Sequence, residues 1–138
     1  MKEKTIQPHI IELPRIYDPR GSLTFVEDNE QVPFEIARCY WTYDIPSNEE
    51  RGGHSHYQQW ELLVAAAGCF NVNVYQGSEW LTFTLDRPYR GLLIPAGWWR
   101  TLDNFASGSV CLVMASGKYD EADYQRDFEI YNQELAKQ

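Results

Sequence analysis

Hydrophobic and polar residues alternate with a period of two along much of the chain, most clearly in Phe70-Asn71-Val72-Asn73-Val74-Tyr75 and Leu81-Thr82-Phe83-Thr84-Leu85. That period puts apolar side chains on one face and polar ones on the other, so both runs predict half-buried antiparallel strands. Further strands are predicted over residues 22–27, 37–44, 60–65, 91–94 and 110–115, set apart by Gly, Pro, Asn and Asp. The last of these is apolar throughout and predicts a strand covered on both faces. Roughly eight or nine strands in so short a chain predict an all-β sandwich or barrel. Only the end departs from the pattern. Asp120 is placed to cap a C-terminal α-helix in which Tyr124, Phe128, Tyr131 and Leu135 recur at helical spacing.

The chain has 138 residues, which fits a single domain spanning 1–138. Twelve basic residues against 20 acidic ones give a net charge of -8, which excludes a sequence-independent grip on a nucleic-acid backbone. Any phosphate-bearing partner must be small and held by a few local arginines. Cys39, Cys69 and Cys111 are odd in number and sit in apolar runs, so they read as free thiols of a reducing compartment. No run approaches the roughly 20 apolar residues of a membrane span. The start, Met1-Lys2-Glu3-Lys4, does not read as a signal peptide, and the expected location is the cytoplasm. Five tryptophans among 14% aromatic residues exceed what a core this small absorbs, which predicts an aromatic pocket or subunit interface.

The chemistry concentrates in Arg51-Gly52-Gly53-His54-Ser55-His56. In a strand, His54 and His56 project from the same face, where paired imidazoles beside a cation either shuttle protons on an anionic substrate or hold a metal. The plainest alternative is two satisfied polar residues in a sheet wall. From His54 the text reads His-x-His-x4-Glu-x6-Gly, through Glu61 and Gly68, which resembles the first motif of the cupin superfamily. The second cupin motif is matched by Pro95 to Asn104 except that Arg100 replaces its histidine ligand. A guanidinium does not ligate, and its charge opposes a nearby divalent cation. His54, His56 and Glu61 still make a possible open three-ligand site, so a metal-dependent cupin oxygenase stands as an alternative.

At finer grain the chain resembles the WxcM-like cupin group of nucleotide-sugar 3,4-ketoisomerases. The resemblance is carried by Asp18 to Leu23, Val32 to Tyr40, Arg51 to His56, Ile94 to Arg100, Asp103 to Val113 and Tyr119 to Asp127. It implies a cupin jelly-roll barrel and a homodimer with exchanged N-terminal strands. It implies no metal and no cofactor, with dTDP-4-keto-6-deoxyglucose or a similar dTDP-linked keto sugar as substrate. The implied reaction moves the keto group from C4 to C3 through an enediol, toward deoxyamino sugars of bacterial surface glycans. Such a step needs a base poised near neutrality and a group that shuttles hydroxyl protons. The resemblance assigns proton transfer to His54 and His56, with Tyr40 as a helper at the sugar. Arg38 and Arg51 are the candidates for the diphosphate, since guanidinium groups bind phosphate oxygens in a fork. Trp99 and Arg100 are candidates for the sugar pocket, with core packing as the other reading of Trp99.

Two positions depart from the family. Tyr57 stands where a basic residue is usual, and Glu61 where glutamine is expected. A carboxylate there can orient a histidine, complete a metal site, or be a surface acid at a strand start. A non-catalytic nucleotide-sugar-binding module is therefore a further alternative. So is 3,5-epimerisation, whose His-Asp dyad has no evident counterpart in the text.

Overall fold

The computed structural model describes residues 6–46 and 48–138; the 1–4 start on which the signal-peptide reading rests lies outside the described residues. The N-terminal part supplies β1 (His9–Glu12) and a small hairpin, β2 (Arg15–Ile16) with β3 (Leu23–Thr24). Then follow β4 (Arg38–Thr42), β5 (Arg51–His56), β6 (Glu61–Ala67), β7 (Phe70–Tyr75), β8 (Leu81–Leu85) and β9 (Arg90–Ile94). β10 (Trp99–Asp103), β11 (Val110–Ala115), β12 (Tyr124–Gln125) and the helix α1 (Phe128–Ala136) complete the chain. One five-stranded sheet has the order β1-β9-β6-β11-β4 and the other β12-β5-β10-β7-β8, with every ladder antiparallel. This is the expected all-β jelly roll, built as two sheets and not as one closed barrel.

The central strand β6 shows why its sequence is apolar without alternation. Leu63 and Ala65 enter the core between the sheets with Phe70, Val72, Val74, Leu92, Ile94 and Val113. Leu62 and Val64 point the other way, where Leu13, Val32, Phe34 and Met114 cover them. Both faces are buried, so both carry hydrophobic side chains. Glu61, at the inward end of this strand, is 1% exposed and not a surface acid.

Gly68, the last residue of the first motif, turns the chain from β6 into β7 at φ +73°, and a Cβ there would meet the Ser109 Cα at 2.7 Å. Only glycine satisfies both conditions.

The C-terminal helix is shorter than its spacing predicts. Asp120 caps a single 3-10 turn, Glu121–Asp123, while the cap of α1 is Asp127, whose side chain accepts from the Ile130 amide. Tyr124 consequently lies in β12, paired with His56. The helix docks through Tyr131, which is 5% exposed and donates its hydroxyl to the carbonyls of Gly97 at 2.7 Å and Tyr75 at 3.0 Å.

Candidate active site

β5 carries the histidine pair, and β10 lies beside it with Arg100 opposite His54. The two imidazoles meet edge to face, ring centroids 4.9 Å apart at 90°, as residues two apart on one strand face should. Their surroundings differ. His54 lines a cleft of about 210 Å³, together with Tyr40, Arg51, Glu61, Arg100, Tyr124 and Arg126 among others. Its Nε2 is buried with no hydrogen-bond partner among the described residues, while the Gly52 backbone bonds the ring's other nitrogen. Burial, then the charge of Arg100, pulls the His54 pKa down to about 2, so the ring is neutral and keeps a free lone pair.

His56 is 1% exposed and sits behind its neighbour. Its Nδ1 lies 3.1 Å from Asp123 Oδ2, and its Nε2 lies 3.7 Å from Glu61 Oε2. Burial and Arg100 depress its pKa, against the opposing pull of Glu61 and Asp123. The Asp123 carboxylate also accepts from the backbone amides of Gln58 at 2.8 Å and Gln59 at 3.2 Å. A His-Asp pair is thus present, although the text gave no sign of one. The two residues are 67 positions apart and meet only because β12 pairs with β5.

Glu61 is the hub of the buried polar network. It accepts from Arg100, from the Tyr40 hydroxyl at 2.9 Å and from Gln59 Nε2 at 2.9 Å. Burial and the Glu61 charge hold the Tyr40 phenol protonated far above its ordinary range. Ligand atoms of His54, His56 and Glu61 all lie within 4.8 Å of one another, close enough to enclose a cation. The donor set nevertheless fits a metal poorly. Drawing Glu61 onto an ion would strip a buried guanidinium of its carboxylate and leave that positive charge beside the ion.

Two sequence candidates fall outside the cleft. Trp99 points to the opposite face of β10, packed against Phe128 and Tyr131 at centroid distances of 5.1 and 5.4 Å, so it serves the docking of α1 and not a sugar pocket. Arg38 is not among the residues lining the cleft. It bonds Gln59 at 3.3 Å, with its guanidinium 4.9 Å from the Tyr40 ring and 5.6 Å from that of Tyr119. Conversely, Tyr124 and Arg126 line the cleft without having been singled out, and Tyr124 packs on both imidazoles at 5.0 and 4.4 Å. Three arginines and one glutamate thus face this cleft, in a chain whose net charge is -8.

The family model described as FdtA: WxcM-like, C-terminal, matches residues 6–136. The chain belongs to this WxcM-like family. It is 36% identical over 128 residues to the TDP-4-oxo-6-deoxy-alpha-D-glucose-3,4-oxoisomerase of Aneurinibacillus thermoaerophilus, a match spanning 93% of this chain and 92% of that one. Among solved structures it superposes with a TM-score of 0.92 on QdtA, a sugar 3,4-ketoisomerase from Thermoanaerobacterium thermosaccharolyticum in complex with TDP. Identity there is 33%, over 95% of this chain and 96% of the other. A mutant of the same enzyme in complex with TDP-4-keto-6-deoxyglucose matches with a TM-score of 0.93 and 31% identity, over 97% of each chain. The WxcM-like chain described here has no helix, among the described residues, that is long and apolar enough to cross a membrane.

Proposed function

We propose that this WxcM-like protein is a 3,4-ketoisomerase that moves the keto group of a TDP-linked 4-keto-6-deoxyhexose from C4 to C3. The observation that carries the reading is the partnerless Nε2 of His54, buried in a cleft that also holds Arg51, Arg100 and Arg126. In this reading the diphosphate lies against the exposed arginines and the sugar reaches inward to His54. His54 Nε2 takes the proton from C3, the C3–H electrons form the C3–C4 double bond, and the C4 carbonyl oxygen takes up a proton to give the enediol. The O3 hydroxyl then loses its proton, which replaces the one given to O4, and protonated His54 returns a proton at C4, leaving the carbonyl at C3. Tyr40, held as a phenol, and the Arg100 guanidinium are the donors for the oxygen atoms that become anionic. His56, bonded to Asp123, backs His54 and relays charge toward Glu61. The diphosphate charge offsets Arg126, one of the charges that hold the His54 pKa down, and so raises the basicity of His54.

A homodimer is part of this reading. Ile16, Tyr17 and Leu23 of the β2–β3 region and Trp41 and Tyr43 around the edge strand β4 are exposed, and a second copy is the partner proposed for them. In the single chain, β1 lies along its own β9, and exchange would put the partner's β1 at that edge. Cys39, Cys69 and Cys111 are free, which supports a reducing compartment, the cytoplasm.

Incubation with TDP-4-keto-6-deoxyglucose, followed by NMR of the sugar carbons, tests the reaction. A 3-keto product is expected. Tight TDP binding without turnover would favour a binding module, a C3- or C5-epimerised 4-keto sugar would favour epimerisation, and near-stoichiometric iron in protein purified without chelator would favour the oxygenase.

A further inference from the structure

Arg126 sits between two possible partners. Its guanidinium lies 4.2 Å from the ring of Tyr124, the residue that packs on both catalytic-pair imidazoles, and it contributes to the wall of the cleft. On its other side the Glu121 carboxylate takes it in a fork, Nε to Oε1 at 2.8 Å and Nη2 to Oε2 at 3.1 Å. The Tyr119 hydroxyl donates to the same carboxylate. Both members of the pair are more than half exposed in their side chains, 53% for Arg126 and 58% for Glu121. An exposed pair of this kind is held weakly, because water and salt screen it. A diphosphate offers the same guanidinium the same forked geometry with more charge.

We infer that Glu121 is an internal competitor of the diphosphate, holding the Arg126 guanidinium at the mouth of the cleft until the nucleotide displaces it. The inference rests on the ketoisomerase reading for the identity of the anion. Arg51, the other exposed arginine of the cleft, forms no ion pair among the described residues, so it meets the nucleotide without first releasing a carboxylate. Arg126 does have to release one, and that makes the two arginines distinguishable.

Tyr124 gives the exchange a consequence for the chemistry. Arg126 is packed on the ring that touches His54 and His56, so capture of the diphosphate brings the sugar to the imidazoles along the same wall. The charge of Arg126 is also among the causes that depress the His54 pKa, after burial, Arg100 and His56. Neutralising it on nucleotide binding relieves part of that depression.

Calorimetric titration of the full-length protein with TDP tests the assignment through opposite effects of the two partners. Arg126→Gln is expected to weaken TDP binding about tenfold, the scale of one charge-assisted contact. Glu121→Gln is expected to tighten it about threefold, because the competitor is gone. The double variant Arg126→Gln/Glu121→Gln should bind like Arg126→Gln alone, since a competitor has no effect once its target is absent. Melting curves of the variants within a few degrees of wild type confirm intact folds; if Arg126→Gln melts early, Arg126→Lys, which keeps the charge and loses the fork, is expected to fall between it and wild type. Glu121→Gln that binds TDP no better, or Arg126→Gln that binds it as well as wild type, overturns the inference. Arg51→Gln separates the two levels of the argument. If wild type binds TDP and Arg51→Gln does not, the anion site stands whatever Arg126 does, whereas wild type that binds no TDP removes the ketoisomerase reading itself.

Discussion

The buried pair of Glu61 and Arg100 gives the sharpest prediction about what this site costs the fold. Their side chains are 2% and 1% exposed, and among the described residues Glu61 is the only carboxylate in ion-pair contact with Arg100. Replacing Glu61 by Met leaves a buried guanidinium unpaired, at about 3–5 kcal/mol. It also removes the acceptor of Tyr40 and Gln59. Replacing Arg100 by Met leaves the carboxylate with those two donors only and should cost about 3 kcal/mol. Additivity would place the double variant about 6–8 kcal/mol below wild type. Coupling predicts less, about 3 kcal/mol, because the flexible Met side chains refill the space and only the partners of Tyr40, Gln59 and the Trp98 carbonyl are lost, at about 1 kcal/mol each. Urea unfolding of the four proteins reads this directly. In a chain of this size a 4 kcal/mol loss lowers Tm by roughly 10–20 °C, so Glu61→Met should melt well below wild type, with the double variant melting no lower than Glu61→Met. Single effects below about 1 kcal/mol, or a double variant equal to their sum, would refute the claim that the two buried charges depend on each other.

Other expectations follow from the same geometry. His54 and His56 both have folded pKa values below the ordinary 6.5, so the unfolded chain takes up protons on acidification that the folded one refuses. Stability present above pH 6.5 should therefore fall as the pH drops toward 5, by up to about 1.4 kcal/mol per pH unit for each ring. Over that range His54→Asn should flatten the dependence of Tm on pH, and an unchanged slope would contradict the assignment. Tyr131→Phe removes the hydroxyl that bonds Tyr75 and Gly97, and should cost about 1–2 kcal/mol in urea unfolding with kcat nearly unchanged. Glu134→Ala removes the acceptor shared by Tyr57 and Gln125, and should speed amide exchange in α1 before it changes global stability.

How far the site was legible depends on which residues neighbour one another in sequence. β7 and β8 match their predicted bounds because each has one face in the core and one outside, so burial writes a period of two directly into the text. The pairing of His54 with His56 was equally legible, since strand geometry alone puts residues two apart side by side. β10 was missed because Trp98, Trp99 and Arg100 are all buried, the last through its ion pair, which erases the alternation. The helix was read too long because Tyr124 stands at helical spacing from Phe128, yet its ring is recruited by the histidines in a strand. Asp123, Tyr124 and Arg126 were invisible as site residues for a different reason. They reach the cleft through the pairing of β12 with β5, a long-range contact that leaves no local periodicity. Arg38 lies near the rings of Tyr40 and Tyr119 and off the cleft wall, a placement that alternation within a strand does not reveal.

The central claim is that His54, not His56, takes the proton from the sugar. It is tested most directly with TDP-4-keto-6-deoxyglucose deuterated at C3, by following loss of the label to water under single-turnover conditions in wild type, His54→Asn and His56→Asn. The account predicts washout in wild type, its reduction by about 10²-fold or more in His54→Asn, and a smaller reduction in His56→Asn, whose ring does not itself line the cleft. Washout that survives in His54→Asn, or that is lost only in His56→Asn, would contradict it.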